Sequence, residues 1–536
     1  MSNCQPYLIQ KDLLKEDDKI LNENNQIIHL GNKIKNFKFL LLIISATLAL
    51  NACQNDAFPI STEILDLHPN IDNYYQIFIR SFADSNNDGI GDLKGIENNL
   101  DYLENLGVTA LWLSPFHPSN TYHGYAVTDY YDVHEDFGTL EDLQSLIDAA
   151  KARNMDIMMD LVINHSSDQH PWYVDARNNM ESPYRNYYFW DAPNVAYQSF
   201  VGGLVDFDPT SEAFKAEVKN MLQFYGDMGI LKFRLDAAKH FFDKPGLTAI
   251  DTNAGLYILE FKAFLQSEFG DDAHIVSEVF EYNYIRYPNY VLGTGSVFNF
   301  FGAMHLEQKV GFQSSRFNFV SSLRQFYDAM HEAQPNYIDH LFIGNHDINR
   351  PATRIANIDA RKQTVKAMYT LPGNIYLYYG DELDLLGRRQ EGVNVPGYGI
   401  AYDEFRRTAF LWGDDQETTW FPDVQNISTP NVNEAKENED SMYHVYQTFM
   451  QLRLDYPALM FGDFTPYENN DYNIQGFYRT YQNGDQKQTI LVIINISQQA
   501  SEIILPSILK TIYEDNTSML GLDAYGVGVY LIEEDY

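Results

Sequence analysis

Carboxylate, histidine and arginine side chains recur at the ends of short apolar segments of this 536-residue chain. One segment ends in Arg234 and Asp236, another in Glu278, and a third in His346 and Asp347. Alternate residues of an extended strand face the same side, so the guanidinium of Arg234 should lie beside the carboxylate of Asp236. A neighbouring cation favours the ionised carboxylate, the state that a nucleophile needs. These segments predict one convergent site for chemistry that uses paired carboxyl groups.

Eight short, β-rich apolar segments alternate with amphipathic helical segments from about Tyr74 to Tyr379. The predicted strands are 75–79, 110–113, 156–162, 231–235, 275–279, 297–301, 341–343 and 375–379. The predicted helices include 139–152 and 211–226. This alternation predicts an α/β fold with a parallel barrel, in which catalytic residues stand at the carboxyl ends of the strands. The polar residues described above occupy such ends.

Two regions depart from this alternation. Residues 165–208 are rich in Asn, Tyr and Pro and lack helical periodicity, which predicts a small domain inserted over the barrel mouth. After about Gly462, short alternating runs such as 474–479 and 489–496 predict an antiparallel β-sandwich at 462–536. The barrel is then assigned to 70–164 and 209–458, and an N-terminal extension to 1–53.

The composition narrows the classes of partner. The chain has 37 Lys and Arg against 74 Asp and Glu, a net charge of -37, which would repel the phosphates of nucleic acid. Aromatic residues make up 14%, with 38 Tyr, which suits either surfaces that stack sugar rings or a tyrosine-rich core. Two cysteines leave no disulfide framework and no cysteine-based metal site. Oligomeric state cannot be read from these features.

The N-terminal extension has the order of an export signal. Three lysines precede the apolar run 39–50, which is followed by Ala52 and Cys53. The run of about a dozen residues is too short to cross a bilayer. A buried core helix is the alternative interpretation. The segment around Cys53 resembles the lipobox of bacterial lipoproteins, which implies an exported protein that is secreted or held to the cell envelope or surface by lipid on Cys53.

The strand-end segments, in this order and spacing, resemble the signature regions of glycoside hydrolase family 13, the α-amylase family. The resemblance runs from about Tyr74 to the C-terminus, and residues 204–209 resemble a fifth region of the family. It implies a (β/α)8 TIM barrel, a domain B inserted after the third strand, and a C-terminal antiparallel β-sandwich. It also implies a retaining mechanism on α-glucosidic bonds.

The resemblance assigns the catalytic roles to three carboxyl groups. Asp236 corresponds to the nucleophile, Glu278 to the acid/base, and Asp347 to a third carboxylate that binds ring hydroxyls and helps to distort the sugar. A retaining hydrolase needs one carboxyl group to attack and a second to protonate the leaving oxygen. Glu278 must therefore carry a proton, and its apolar neighbours at 275, 276, 279 and 280 should raise its pKa by desolvation.

The resemblance also implies a set of substrate-binding residues, in which Tyr125 stacks on the cleaved ring and Arg234 is the charge partner of Asp236. The members are Tyr125, His123, His165, Arg234, Lys239, His240 and His346. The simpler interpretations are that Tyr125 only packs within its loop and that the histidines are hydrogen-bonded in the interior without contacting a ligand.

The segment 84–92 places oxygen donors at alternating positions around a glycine, like the first half of an EF-hand loop without the distal Glu. Hard oxygen ligands suit Ca²⁺, and a solvated turn is the alternative. By resemblance to the calcium loop of the family, the ligands would be Asp84, Asn86, Asp88, Ile90 through its carbonyl, and Asp92. A second calcium site would use Asn164, Asp206 and the carbonyl of His240.

These observations favour an α-amylase that cleaves internal α-1,4 bonds of starch-like glucans and maltooligosaccharides, with structural calcium. Ala237, the Lys239-His240 pair and Tyr122 match α-1,4-acting relatives better than oligoglucosidases. The alternatives are an exo-acting oligosaccharide α-glucosidase on α-1,4 or α-1,6 bonds, and a non-catalytic surface protein that binds glucan. The intact set of three carboxylates counts against the last.

We expect lipid on Cys53 to hold the protein to a membrane face. Cell fractionation of the wild type and of Cys53→Ser measures this, because the variant cannot be acylated. The wild type should sediment with membranes and the variant should be soluble. Equal solubility of the two proteins would rule out the lipobox interpretation.

Overall fold

The described part of the chain begins just before the first barrel strand. The computed structural model describes residues 71–314, 318–469, 471–483, 486–518 and 521–532. The predicted export signal and Cys53 lie outside the described residues. Within those residues, none of the helices combines the length and the apolar character that a membrane crossing requires.

The central sheet contains seven parallel strands, which occupy seven of the eight positions of the barrel. Numbered by barrel position, neighbouring strands pair in the order 7-8-1-2-3-4-5. In chain order these strands are Asn73–Ile77, Ala110–Leu113, Asp156–Leu161, Lys232–Leu235, His274–Ser277, His340–Phe342 and Asn374–Tyr378. The sixth position consists of two single bridges, from Val297 to Ser277 and from Phe298 to His340, both parallel. These bridges join the two edges of the sheet and confirm the predicted barrel.

The predicted strand 297–301 is too long at its carboxyl end. Asn299 accepts a hydrogen bond from the backbone N–H of Gly302 and caps the helix Phe300–Leu306. A side-chain oxygen that satisfies an unpaired N–H stabilises a helix start, so the chain turns helical directly after Phe298.

The helices around the barrel follow the predicted pattern. Helix Leu140–Lys151 begins with a capping box between Thr139 and Asp142. Helix Glu212–Met228 is capped by Ser211 and ends at Gly229, whose φ of 105° needs the freedom of glycine, so it runs two residues beyond the prediction. The other α-helices are Ile79–Phe82, Leu93–Asn98, Leu100–Leu106, Pro171–Asn178, Ile250–Phe269, Tyr287–Thr294, Phe300–Leu306, Phe319–Ala333, Pro351–Arg354, Ile358–Tyr369, Val432–Glu437, Met442–Asp455 and Pro457–Phe461.

The residues after the third strand form short antiparallel pairs. His165–Ser167 pairs with Leu204–Asp206, and Trp190–Ala192 pairs with Val195–Ala196. Although this insertion lacks helical periodicity, Pro171–Asn178 is helical, because the His170 side chain accepts the backbone N–H of Trp172 and proline is tolerated at the first helical position.

The C-terminal region is an antiparallel β domain, as predicted. Its strands are Asp463–Pro466, Ile474–Asn483, Gln486–Asn495, Ser501–Glu502, Ile508–Ser518 and Gly521–Ile532. The sheet packs against the barrel, and the buried guanidinium of Arg479 donates to the carbonyl of Thr370 at 2.6 Å. This hydrogen bond joins the β domain to the C-terminal end of the barrel helix Ile358–Tyr369.

Strand alternation determines which side chains fill the barrel. An apolar layer occupies the interior, made of Tyr74, Ala110, Trp112, Met158, Val276, Phe298, Phe300, Phe342 and Tyr376. On the fourth strand, Arg234 and the residue that follows it by two, Asp236, share the inward direction. The apolar layer therefore closes the barrel beneath its polar carboxyl end and excludes water from below.

Candidate active site

Arg234 is the centre of the polar cluster at the carboxyl end of the barrel. Its Nη1 lies 2.7 Å from Asp160 Oδ1 and 2.7 Å from Asp236 Oδ1, and its Nη2 lies 2.9 Å from Glu278 Oε2. Asp160 and Arg234 are direct partners in the pairing of the third and fourth strands. One buried guanidinium thus holds three carboxyl groups together, and the predicted contact with Asp236 is present.

Glu278 is held by a second donor. The backbone N–H of Ala237 donates to Glu278 Oε2 at 2.9 Å. Ala237 has a φ of 50°, a left-handed conformation that costs a residue with a side chain about 1 kcal/mol or more. The turn after Asp236 therefore aims a backbone donor at the neighbouring carboxyl group and leaves Glu278 Oε1 without that donor.

The pKa values of Asp236 and Glu278 agree in part with the sequence-based expectation. Burial, together with the charges of Asp160 and Asp347, raises the pKa of Asp236 to about 7 against the opposing effect of Arg234. Burial also raises the pKa of Glu278, as predicted. Arg234 lowers the pKa of Asp236, as expected of a neighbouring cation, but burial and the other carboxylates outweigh it because its one positive charge is shared among three carboxyl groups.

Tyr125 connects the cluster to His346. Its hydroxyl lies 3.0 Å from Asp160 Oδ2 and 2.6 Å from His346 Nε2, and its ring is stacked on His346 with an interplanar angle of 11°. Gln76, from the first strand, lies 2.7 Å from His346 Nδ1. The predicted residues Tyr125 and His346 are therefore both part of the cluster, and each is buried.

Asp347 is the most exposed carboxylate of the cluster, with 37% of its side chain accessible. Its two oxygens lie 3.1 Å from His346 Nε2 and 3.1 Å from Arg407 Nη2. Although burial opposes ionisation, His346 and Arg407 hold the pKa of Asp347 well below its ordinary value. This carboxylate is ionised and open to a ligand.

Two of the other predicted histidines, His165 and His123, are uncharged. Burial lowers the pKa of His165 to about 3 and that of His123 to about 4. His123 accepts the backbone N–H of Tyr125. The Nε2 atom of His165 is buried and has no hydrogen-bond partner in the structure, so it is available to a polar ligand.

Lys239 and His240 lie in the turn after Asp236, on a short 3₁₀ helix. Lys239 Nζ lies 3.2 Å from Glu281 and 3.0 Å from the carbonyl of Phe280, and His240 Nδ1 lies 2.5 Å from Asp243. Both side chains are partly exposed. Lys239 therefore contacts the segment that follows Glu278, whereas His240 packs against Phe200 of the inserted region, with ring centroids 4.9 Å apart.

The 84–92 loop is an ordered turn in which the predicted ligands accept backbone hydrogen bonds. Asp84 accepts from Asn87 and Gly89, both at 2.7 Å, and Asp92 caps the following helix through Gly95. In the part of the chain that the structure describes, no three His, Cys, Asp or Glu side chains converge as a metal-binding group. The oxygen donors suit calcium chemically, and two of the loop's carboxylates are neighbours, because burial and then the charge of Asp84 raise the pKa of Asp92.

The second predicted calcium set is partly assembled. Asn164 Nδ2 lies 3.2 Å from Ser199 Oγ, and Asp206 Oδ1 accepts the backbone N–H of Ser199 at 3.1 Å. Burial raises the pKa of Asp206 to about 7. A buried carboxyl group with such a pKa would gain from a cation beside it.

Four members of the cluster were not identified from the sequence as site residues, namely Gln76, Asp160, Asp403 and Arg407. Asp160 and Gln76 face inward on their strands, so strand alternation could have indicated them. Asp403 and Arg407 flank the short 3₁₀ helix Glu404–Arg406. This segment has neither strand nor helix periodicity, so the sequence pattern does not indicate them.

Comparison with known families gives a match across most of the chain. The family described as alpha amylase, catalytic domain, matches residues 76–462. This range contains Asp160, Arg234, Asp236, Glu278 and Asp347.

Two curated relatives carry different enzyme names. The chain is 32% identical over 446 residues to α-amylase 3 of Dictyoglomus thermophilum, covering 79% of this chain and 84% of that protein. It is 27% identical over 519 residues to an oligo-1,6-glucosidase of Bacillus cereus, covering 81% and 91%.

A solved structure agrees in fold over the same extent. The crystal structure of the α-amylase from H. orenii superposes with a TM-score of 0.76 at 28% identity, covering 87% of this chain and all of that one. Together with the family match, this shows that the chain belongs to the α-amylase family of glycoside hydrolases.

Proposed function

We propose that this glycoside hydrolase cleaves internal α-1,4-glucosidic bonds of starch-like glucans and maltooligosaccharides with retention of configuration. The observation that carries the proposal is the buried guanidinium of Arg234, which holds Asp236 and Glu278 side by side at the ends of neighbouring strands. Retention needs two adjacent carboxyl groups, whereas inversion needs room for a water between them.

In the first step, Asp236 attacks the anomeric carbon while Glu278 gives its proton to the leaving glycosidic oxygen, so that a glycosyl ester forms and the C–O bond breaks. In the second step, Glu278 takes a proton from water, the hydroxide adds to the anomeric carbon, and the ester bond to Asp236 breaks. Both carboxyl groups return to their starting protonation states.

The pKa values of Asp236 and Glu278 support a mechanism in which one of the two is ionised and the other is protonated. Asp236 and Glu278 both have raised pKa values, and their like charges disfavour ionisation of both at once. A single proton on the pair is the state that the mechanism requires. The proposed mechanism assigns that proton to Glu278, on Oε1, because Oε2 already accepts hydrogen bonds from Arg234 and Ala237.

The substrate-binding proposal is supported by groups that await a ligand. Ionised Asp347 is 37% exposed and can accept hydrogen bonds from ring hydroxyls. His165 Nε2 is buried without a partner, a cost that a sugar hydroxyl would remove. Tyr125 would present its ring to the sugar that is cleaved.

Three features support action on α-1,4 bonds within chains. Ala237 follows Asp236, the Lys239-His240 pair lies in the turn after it, and Tyr122 is a buried neighbour of Arg407. These residues match α-1,4-acting relatives better than oligoglucosidases. The second candidate, an exo-acting oligosaccharide α-glucosidase, is favoured by the similarity to an oligo-1,6-glucosidase over 81% of the chain. Both use the same carboxyl pair.

We also propose that structural calcium binds the 84–92 loop, and that the protein is exported and anchored through Cys53. The oxygen-rich loop and the resemblance to calcium-binding relatives support the first. This loop is joined to a distant segment, because the carbonyl of Gly89 accepts the backbone N–H groups of Thr419 and Trp420. The lysine-rich, apolar and Ala-Cys order of residues 33–53 supports the second.

The catalytic roles are tested with Asp236→Asn and Glu278→Gln, each of which should lower kcat on maltotetraose by about 10³-fold or more without changing the fold. Glu212→Gln, on an exposed helix start, is the matched control and should retain full activity. NMR of the first product should show the α-anomer. A folded variant with a tenth of wild-type activity, or a β-anomer, would contradict the roles.

The shared guanidinium predicts a pH effect. Asp160→Asn removes a charge that raises the pKa of Asp236, so Asp236 should ionise at lower pH and the acid limb of kcat/KM should move to lower pH. The ratio of kcat/KM at about pH 5 to that at about pH 7 should rise about threefold. The control Asp156→Asn, at the exposed start of the same strand, should leave the limb in place. A shift to higher pH in Asp160→Asn would refute the shared-charge argument.

The mode of action is tested by product analysis. We expect rapid loss of iodine staining from amylose, short maltooligosaccharides as products, and slow attack on isomaltose. Chromatography of products from maltotetraose and isomaltose measures the preference. Release of glucose alone from chain ends, or faster hydrolysis of isomaltose, would favour the α-glucosidase candidate.

Calcium is tested by chelation. EDTA should lower the melting temperature, because removal of the cation leaves the loop's carboxylates uncompensated. Asp88→Asn should reduce this sensitivity, whereas Asp471→Asn, an exposed aspartate that accepts a backbone N–H in a similar turn, should not. An unchanged melting curve and no calcium by elemental analysis would exclude the ion.

A further inference from the structure

Two buried histidines meet at the amino-terminal end of the barrel, below the apolar layer. His274 begins the fifth strand and His340 begins the seventh, and their Nε2 atoms lie 3.1 Å apart. Between these strands, the sixth position is paired through the two single bridges of Val297 and Phe298. Ser296, which precedes them, lies 3.1 Å from His274 Nε2 through its Oγ. The histidine contact therefore links the strands on both sides of the shortest pairing in the barrel.

The surrounding hydrogen bonds define which histidine nitrogens carry hydrogen. The Nδ2 of Asn374 lies 3.2 Å from His340 Nε2, and its Oδ1 accepts the backbone N–H of Asp72 at 2.6 Å, which fixes the amide. His340 Nε2 is therefore an acceptor, and the Nε2–H of His274 donates to it. His340 Nδ1 lies 2.7 Å from the hydroxyl of Tyr376, whose pKa burial raises well above its ordinary value. This arrangement has no place for a hydrogen on His340 Nε2.

The cations that face the pair oppose a further proton. Lys232 is on the fourth strand, and Lys262 is on helix Ile250–Phe269. Burial, together with His340, Lys262 and Lys232, holds the pKa of His274 well below its ordinary value. Burial, together with Lys232, lowers the pKa of His340 to about 3. A proton on either ring would add positive charge to a buried site that two lysines already make positive.

The neighbouring carboxylates have other partners. Asp72 and Asp156 form ion pairs with Lys232, at 2.5 Å and 2.6 Å. Asp339, which precedes His340, accepts hydrogen bonds from three polar side chains, those of Asn299, Tyr327 and Tyr337. Among the described residues, no carboxylate is bonded to either imidazole ring, so an imidazolium here would have no counter-ion in contact with it.

We propose that the hydrogen bond between His274 and His340 is an acid-sensitive contact that holds the barrel closed across its sixth position. A proton on His340 Nε2 places hydrogen on both facing nitrogens and breaks the bond. The fifth strand leads to Glu278 and the seventh to Asp347, so opening here loosens the strands that carry these two carboxyl groups. Imidazoles of the unfolded chain bind a proton near about pH 6.5, whereas the folded pair excludes it. Closure is therefore present above about pH 6.5 and is lost as the pH falls towards about 3.

Hydrogen exchange measured by mass spectrometry tests where the barrel opens, and it needs no variant. Between about pH 7 and about pH 5, peptides that cover 296–299 and 340–342 should lose about tenfold or more of their protection, after correction for intrinsic exchange. Peptides that cover Ala110–Leu113, at the opposite barrel position, should keep theirs. Unchanged protection at 296–299 and 340–342, or an equal loss in all strands, would overturn the proposal.

Two substitutions separate the loss of the titrating group from the loss of the hydrogen bond. His274→Gln can still donate but binds no proton, so the ratio of its unfolding rates at about pH 5 and about pH 7 should be about tenfold smaller than that of the wild type. His274→Leu cannot donate and should unfold about tenfold faster at about pH 7. The fluorescence of Trp112, which is stacked on Phe298, reports the opening. His331→Gln, at the exposed end of helix Phe319–Ala333, is the matched control and should keep the wild-type ratio. A wild-type ratio in His274→Gln, or wild-type unfolding of His274→Leu, would overturn the proposal.

Discussion

The buried guanidinium of Arg234 is the interaction on which the site depends. It contacts Asp160, Asp236 and Glu278 within 2.9 Å, at a depth where water cannot screen the charges. One cation cannot neutralise three carboxylates, so the cluster retains a proton near neutral pH. A retaining hydrolase uses that excess of negative charge, because one carboxyl group must be ionised and its neighbour must be protonated.

A second buried cation organises the other side of the cleft. Arg407 forms ion pairs with Asp347 and Asp403, just as Arg234 does with Asp236 and Glu278. In both cases a buried guanidinium lies behind carboxyl groups that are more exposed than it is. The two sides differ in outcome. Burial and the charges of Asp160 and Asp347 raise the pKa of Asp236, whereas His346 and Arg407 together lower that of Asp347 against the effect of burial. In the mechanism we propose, acid–base chemistry and hydroxyl binding are thereby assigned to different parts of one pocket.

The sequence was informative where periodicity and short motifs coincide. The barrel, the C-terminal β domain and the grouping of Arg234 with Asp236 and Glu278 follow from strand alternation and strand ends. The predicted sixth strand was too long, because the apolar pattern does not reveal the hydrogen bond by which Asn299 caps the next helix. Arg407 lies in an irregular segment, and its contact with Asp347 depends on tertiary structure alone. The raised pKa of Asp236 could not be predicted from its contact with Arg234 alone, because it depends on burial and on the neighbouring carboxyl groups.

The location of one proton tests the account most directly. Neutron diffraction from deuterated crystals at about pH 7 would locate the hydrogen atoms of the coupled carboxyl pair. The account predicts a deuteron on Glu278 Oε1, none on Asp236, and a fully deuterated Arg234 between them. A deuteron on Asp236 with a bare Glu278, or two bare carboxylates, would contradict it.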